Sequence, residues 1–193
     1  MAGRRQRRAR RSWIAALALL VLALVSACSS TADTGGSGGS ADSVQLGWRR
    51  VPAVALPDLR STTSSQLTDG SDQPARDPGP TLVNIWAGWC GPCVAELPLL
   101  RRLSAEREVQ VVGVSRDVRE VVARQALKRA GVHYVNWFDP DGAFVQKLRG
   151  VVPPSAVPST LLVVDDQVVA VHIGPFHTTK DALDYRRYTR PTA

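Results

Sequence analysis

Two cysteines, Cys90 and Cys93, stand where an apolar strand-like run, Thr81–Trp86, gives way to a helix-like run, Val94–Arg107. The stretch Trp89-Cys90-Gly91-Pro92-Cys93 therefore asks for a strand, a tight turn and a helix in immediate succession. The first sulfur falls beside a helix N-terminus, where unpaired N–H groups and the helix dipole favour an anion. The thiolate is the reactive form of cysteine, so a lowered pKa makes Cys90 a nucleophile near neutral pH. Cys93 lies about one helical turn further in and can close on it. A dithiol that cycles between open and closed fits this spacing.

Two plainer uses of a C-x-x-C pair compete with that reading. A zinc site needs four ligands. The only other cysteine is Cys28, far off in a processing signal. Of His133, His172 and His177, only the last two show ligand spacing, at the end of a predicted strand. A structural disulfide across so short a loop closes little chain and adds little stability through loop entropy. Redox chemistry explains the spacing better.

The first residues do not read as part of the fold. Arg4, Arg5, Arg7, Arg8, Arg10 and Arg11 form a positive n-region, and Trp13–Val25 is an apolar run short for a membrane span. Val25-Ser26-Ala27-Cys28 then has the form of a bacterial lipobox, in which the cysteine is lipidated and becomes the new N-terminus. The run Ser29–Ser43, rich in Gly, Ser and Thr, reads as a tether. The expected organisation is a lipoprotein signal peptide over 1–27, a lipidated flexible tether over 28–50 and one domain over 51–193, on the extracytoplasmic face of the cell membrane. The formal charge of +7 loses its meaning here. Six of the 24 Lys and Arg residues precede Cys28 and all 17 Asp and Glu residues follow it, leaving about +1 on the mature chain. No basic stripe remains, and a nucleic-acid partner is not expected.

Along the domain, Val51–Leu59 reads as an edge strand interrupted by Pro52 and Pro57. Residues 61–80 are polar and turn-rich and read as an insertion loop. Leu82–Trp86 suits a central strand. Cys93–Glu106 reads as a helix with Leu97, Leu100 and Leu103 on one face and a kink at Pro98. Val109–Ser115 is a second β-branched run. Asp117–Ala130 reads as a helix with Asp117 as its N-cap and Gly131 as its stop. Val132–Phe138 is a short strand, 139–142 a turn, and Gly142–Leu148 a short helix. Thr160–Val164 and Val168–Ile173 read as a hairpin, and Thr178–Tyr188 as a closing helix. The order β-α-β-α-β-α-β-β-α predicts an α/β fold with a mixed central sheet covered on both faces.

With these residues in place, the chain resembles the thioredoxin superfamily over roughly residues 51–190. More narrowly it is similar to the TlpA/ResA/CcmG/DsbE-like membrane-anchored thiol–disulfide oxidoreductases. The motifs that carry the resemblance are Leu82-Val-Asn-Ile-Trp-Ala-Gly-Trp-Cys-Gly-Pro-Cys93, Glu96-Leu97-Pro98, Asp139-Pro-Asp-Gly142 and Val157-Pro158-Ser159-Thr160. It implies a thioredoxin fold, with a C-terminal hairpin and helix. It implies Cys90 as attacking thiolate and Cys93 as resolving thiol, with Gly91 and Pro92 setting the redox poise. Pro158 matches a cis-proline facing the dithiol, and Val157 before it would offer backbone groups to an extended substrate strand, alongside Trp89. Glu96 matches an acid that tunes the protonation of the dithiol. No metal and no organic cofactor are implied. The implied partners are secreted or membrane-associated thiol or disulfide proteins, with apocytochrome c and a membrane electron donor among them.

Two departures stand out. Thioredoxin proper has an aspartate where this chain has Asn84, and asparagine cannot take a proton from Cys93. Residues 151–156, Val-Val-Pro-Pro-Ser-Ala, make a longer and more proline-rich approach to Pro158 than is usual. The direction of electron flow stays open, since about 30 mV corresponds to about 1.4 kcal/mol for a two-electron couple. A disulfide-forming oxidase of DsbE/DsbF type is the alternative. A peroxiredoxin would need a Pro-x-x-x-Thr-x-x-Cys setting, and a copper chaperone on this fold would need C-x-x-x-C with a distant His. This chain matches neither.

Overall fold

The computed structural model describes residues 46–71, 79–105 and 109–189. The leader, Cys28 and the run 29–43 lie outside the described residues. Thirteen elements follow one another: β1 (Gly47–Ala55), α1 (Leu59–Thr62), β2 (Ser65–Thr68), β3 (Thr81–Trp86), α2 (Gly91–Ser104), β4 (Gln110–Ser115), α3 (Glu120–Ala130), β5 (Asn136–Phe138), α4 (Ala143–Gln146), β6 (Ser159–Val164), β7 (Gln167–Ile173), α5 (Thr179–Leu183) and a closing 3-10 turn (Asp184–Tyr188).

The strands form one sheet in the order β1-β7-β6-β3-β4-β5-β2. β3, β4 and β5 run parallel, and the other pairings are antiparallel. β3 is buried along its length except at Thr81. Its odd and even positions feed opposite faces, as the period of a strand requires. Leu82 and Trp86 join Leu97, Leu100 and Leu127 on one face. Val83 and Ile85 join Val114, Phe144 and Leu161 on the other. The mixed sheet has a core on each face, as expected from the alternation of strands and helices.

A polar row crosses this apolar sheet. Register places Trp48 opposite His172, His172 opposite Thr160, and Thr160 opposite Asn84. It continues from Asn84 to Gly113, Asn136 and Thr68, one residue from every strand. At one end of the sheet, Ile85, Ser159, Ile173 and Gly47 lie side by side.

Several expected boundaries move. β1 begins at Gly47, so the sheet takes in residues 47–50, which the sequence reading gave to the tether. Pro52 lies within the strand, in the stretch between Arg50 and Val54 where the pairing register shifts. An irregular edge strand tolerates a residue with no N–H to donate. The expected loop over 61–80 contains the end of α1 and the whole of β2. β2 pairs with β5, and Ser65 donates to Glu120 on α3 (3.1 Å). α2 runs on through Pro98. Asp117 is not a helix cap: α3 starts after Arg119, and Asp117 is buried elsewhere. Gly131 does stop α3, at φ 63° in the left-handed region. The β6–β7 turn uses Asp165 and Asp166, both at positive φ, as a two-residue hairpin turn requires. The single closing helix expected over Thr178–Tyr188 is α5 followed by the 3-10 turn.

Candidate active site

β3 delivers the chain to the loop 87–89, at the sheet end just described. Two hydrogen bonds shape this loop. The Cys90 N–H donates to the Ala87 carbonyl (3.2 Å), and the Gly88 N–H donates to Asp117 Oδ2 (2.8 Å). A side chain at Gly88 would crowd its neighbours: a Cβ there would lie 2.9 Å from Val122 and 3.2 Å from Asp117. Asp117 also accepts from Ser115 Oγ (3.0 Å), so the end of β4 holds the loop that presents the dithiol.

Cys90 is the N-cap of α2, with extended backbone, and its Sγ accepts from the Cys93 N–H (3.2 Å). The first sulfur thus sits at the helix N-terminus, where the sequence places it. The two cysteines form a disulfide with an S–S distance of 2.05 Å. Cys93 has no exposure, while Cys90 keeps 8%. Only Cys90 is open to attack from solvent. Trp89 beside it is 65% exposed.

Val157–Pro158 is a cis peptide, and the Val157 carbonyl oxygen lies 3.9 Å from Cys90 Sγ. Ser159 Oγ donates to the Ala156 carbonyl (2.7 Å), pinning the loop before β6. The structure therefore brings Cys90, Cys93, Val157 and Pro158 together, with Trp89 at the rim.

Glu96 follows Cys93 by one turn of α2, on the same side of the helix. It is 2% exposed. Asn84 Nδ2 donates to one carboxyl oxygen (2.9 Å) and the Phe176 N–H to the other (2.8 Å). Burial pushes the Glu96 pKa up to about 7, against the pull of these two hydrogen bonds. Asn84 Nδ2 also donates to Thr160 Oγ1 (3.1 Å). The Tyr134 hydroxyl is fully buried, and its pKa is driven upward by burial and by the charge of Glu96. Asn84 Oδ1 and the Tyr134 hydroxyl have no hydrogen-bond partner among the described residues.

Phe176 and Tyr134 escape sequence reasoning. Phe176 acts through its backbone N–H, 80 residues from Glu96, and no side-chain pattern marks that. His172 faces the Gly174 carbonyl, and no group of three or more His, Cys, Asp or Glu among the described residues is arranged to hold a metal ion. Among those residues no helix is long and apolar enough to cross a membrane.

A seven-stranded mixed sheet, a C-x-x-C pair at the start of the helix after β3, and a cis-proline facing that pair define a thioredoxin-fold protein. The chain belongs to the Redoxin family, whose model matches residues 50–186. It is 33% identical over 124 residues to a thiol:disulfide interchange protein DsbE homolog of Paracoccus denitrificans, covering 62% of this chain and 64% of that one. It is 24% identical over 112 residues to the thiol-disulfide oxidoreductase ResA of Bacillus thuringiensis, covering 56% and 62%. The chain thus spans somewhat under two thirds of the length of these relatives. A DsbF homologue from Corynebacterium diphtheriae shares the fold at a TM-score of 0.52 and 20% identity, over 82% of this chain and 99% of that one.

Proposed function

We propose that this chain is a thiol–disulfide oxidoreductase that exchanges disulfides with extracytoplasmic proteins through Cys90 and Cys93. One observation carries the reading. Of the two sulfurs only Cys90 reaches the surface, and it does so against the Val157 carbonyl of the cis-proline loop, with Cys93 buried behind it. An extended partner segment laid along residues 156–158 would present its sulfur to Cys90.

In the reducing direction, the Cys90 thiolate attacks a partner disulfide and expels one partner thiolate, leaving a mixed disulfide on Cys90. Cys93 loses its proton and attacks Cys90 Sγ. The second partner sulfur leaves as a thiolate, and the Cys90–Cys93 disulfide closes. Two electrons pass from the dithiol to the partner. The oxidising direction is the same path reversed. Glu96, with a pKa near neutrality and one helical turn from Cys93, is the protein group suited to take and return the Cys93 proton.

Replacing Cys93 by Ser should trap partners on Cys90 as mixed disulfides, resolved on non-reducing gels, whereas Cys90→Ser should trap none. A Cys93→Ser protein that captures nothing while the wild type turns over would sink this order of events. The potential of the pair, with insulin reduction set against oxidative refolding, separates a reductase from an oxidase of DsbE/DsbF type. Secreted thiol proteins, apocytochrome c among them, and a membrane electron donor are the partners we propose. The arginine-rich leader, the apolar run and Val25-Ser26-Ala27-Cys28 support lipidation at Cys28 and placement on the outer face of the membrane. Metabolic labelling with a fatty acid, lost in Cys28→Ser, tests this.

A further inference from the structure

Two backbone donors around the dithiol come from one three-residue strap, Gly174-Pro175-Phe176, at the exit of β7. The Gly174 N–H donates to the Pro158 carbonyl (3.0 Å), and the Phe176 N–H donates to Glu96 (2.8 Å). Gly174 leaves the strand at φ +102°, a backbone conformation that side chains disfavour. The strap is therefore a sharp departure from the sheet, and something must hold it at that angle.

His172 sits where it can. It is 7% exposed, and its Nδ1 lies 3.0 Å from the Gly174 carbonyl oxygen. Its ring packs on Phe176 with centroids 4.3 Å apart, and the edge contact with Trp48 is at 5.4 Å. Burial lowers its pKa and so favours the neutral imidazole. A carbonyl only accepts, so Nδ1 carries the proton.

The geometry points to His172 as a positioning residue: its Nδ1–H and its ring fix the Gly174–Phe176 strap, which aims one amide at Glu96 and another at the cis-proline loop. The inference rests on reading Glu96 as the proton-carrying neighbour of the dithiol. His172 touches neither sulfur. The titratable groups facing His172 are Asp181 on α5 and His177. Around Glu96 stand the Asn84 amide on β3, the Phe176 amide and the Tyr134 phenol. The Phe176 N–H stabilises the Glu96 carboxylate, so a slack strap leaves burial less opposed, and Glu96 keeps its proton to higher pH.

The test uses the oxidised full-length protein, in which no active-site thiol titrates. The side-chain carboxyl carbon of Glu96 is followed by NMR against pH. His172→Leu should move its midpoint upward by about half a unit or more. His172→Asn, whose amide N–H falls near the place of Nδ1–H, should return most of that shift. A folded His172→Leu protein with an unmoved midpoint overturns the proposal, and so does a shift that His172→Asn fails to rescue. If His172→Leu does not fold, the wild-type tautomer decides, because an imidazole protonated at Nε2 and bare at Nδ1 cannot hold the Gly174 carbonyl. None of these readouts involves a partner. Failure of the oxidoreductase reading would appear separately, as the absence of trapped partners in Cys93→Ser.

Discussion

A carboxyl group buried to 2% exposure and offered two hydrogen bonds is under opposed demands. Burial asks it to keep its proton, and the donors ask it to lose it. In Glu96 burial wins, and its pKa rises from 4.5 to about 7. The folded protein therefore binds this proton more tightly than the unfolded chain. Stability linked to Glu96 is fully present below pH 4.5 and is lost as the pH climbs through 7. The size is on the order of 3 kcal/mol. Urea unfolding of the oxidised protein should show this decline between pH 4.5 and 7, and Glu96→Gln should flatten it. The glutamine variant turns one amide hydrogen towards a donor, which costs about 1–3 kcal/mol. The slope with pH, not the absolute stability, is thus the quantity to compare. An unchanged slope would mean that Glu96 does not titrate in this window.

At the scale of elements, the parallel centre depends on Gly113. The side chain of Asn136 on β5 folds over this glycine on β4. There it accepts from the Trp86 indole N–H (3.0 Å) and donates to the Tyr134 carbonyl (2.8 Å). A Cβ at 113 would fall onto the Asn136 carboxamide. Gly113→Ala should cost about 2–4 kcal/mol, through overpacking and two broken buried hydrogen bonds. A urea midpoint equal to that of the wild type would contradict this. Nothing in the run Gln110–Ser115 foretells that the glycine is a slot for a neighbouring strand. The sequence shows the runs that are hydrophobic on both faces, and β3, β4 and the β6–β7 hairpin stand out on that ground. β2 stays hidden, because Leu67 is its only buried residue and its partners lie on β5 and α3. Asp117 misleads for a related reason: an acid before a helical pattern looks like a cap, yet this one serves the Gly88 amide across the sheet. In the site, the cysteines are marked by type and spacing, whereas Glu96 and Pro158 stand out only through the family resemblance. The strap and Tyr134 are marked by neither, since tertiary contact alone gives them a part.

On the scale of the molecule, the polar row is a line of contact from the edge strand β1 to Asn84 beneath Glu96. Trp48 begins it, and its indole N–H donates to the Asp181 carbonyl (2.9 Å) while its own carbonyl accepts from Tyr188 (2.9 Å). The first strand and the last turns of the chain are thereby joined next to His172. The anchoring reading makes its own prediction at this scale. Wild-type protein should sediment with membranes, and Cys28→Ser should appear in the soluble extracytoplasmic fraction with its dithiol exchange intact. Recovery of both in the same fraction would end that reading. β1 enters the sheet at Gly47, opposite Ile173 and level with Ser159, at the end where β3 hands the chain to the dithiol. Leu46 lies within 3.5 Å of where a Gly174 side chain would begin. The opening of β1 and the strap that serves Glu96 are therefore neighbours, so loosening at the start of the sheet would reach the carboxyl group of the site through Gly174.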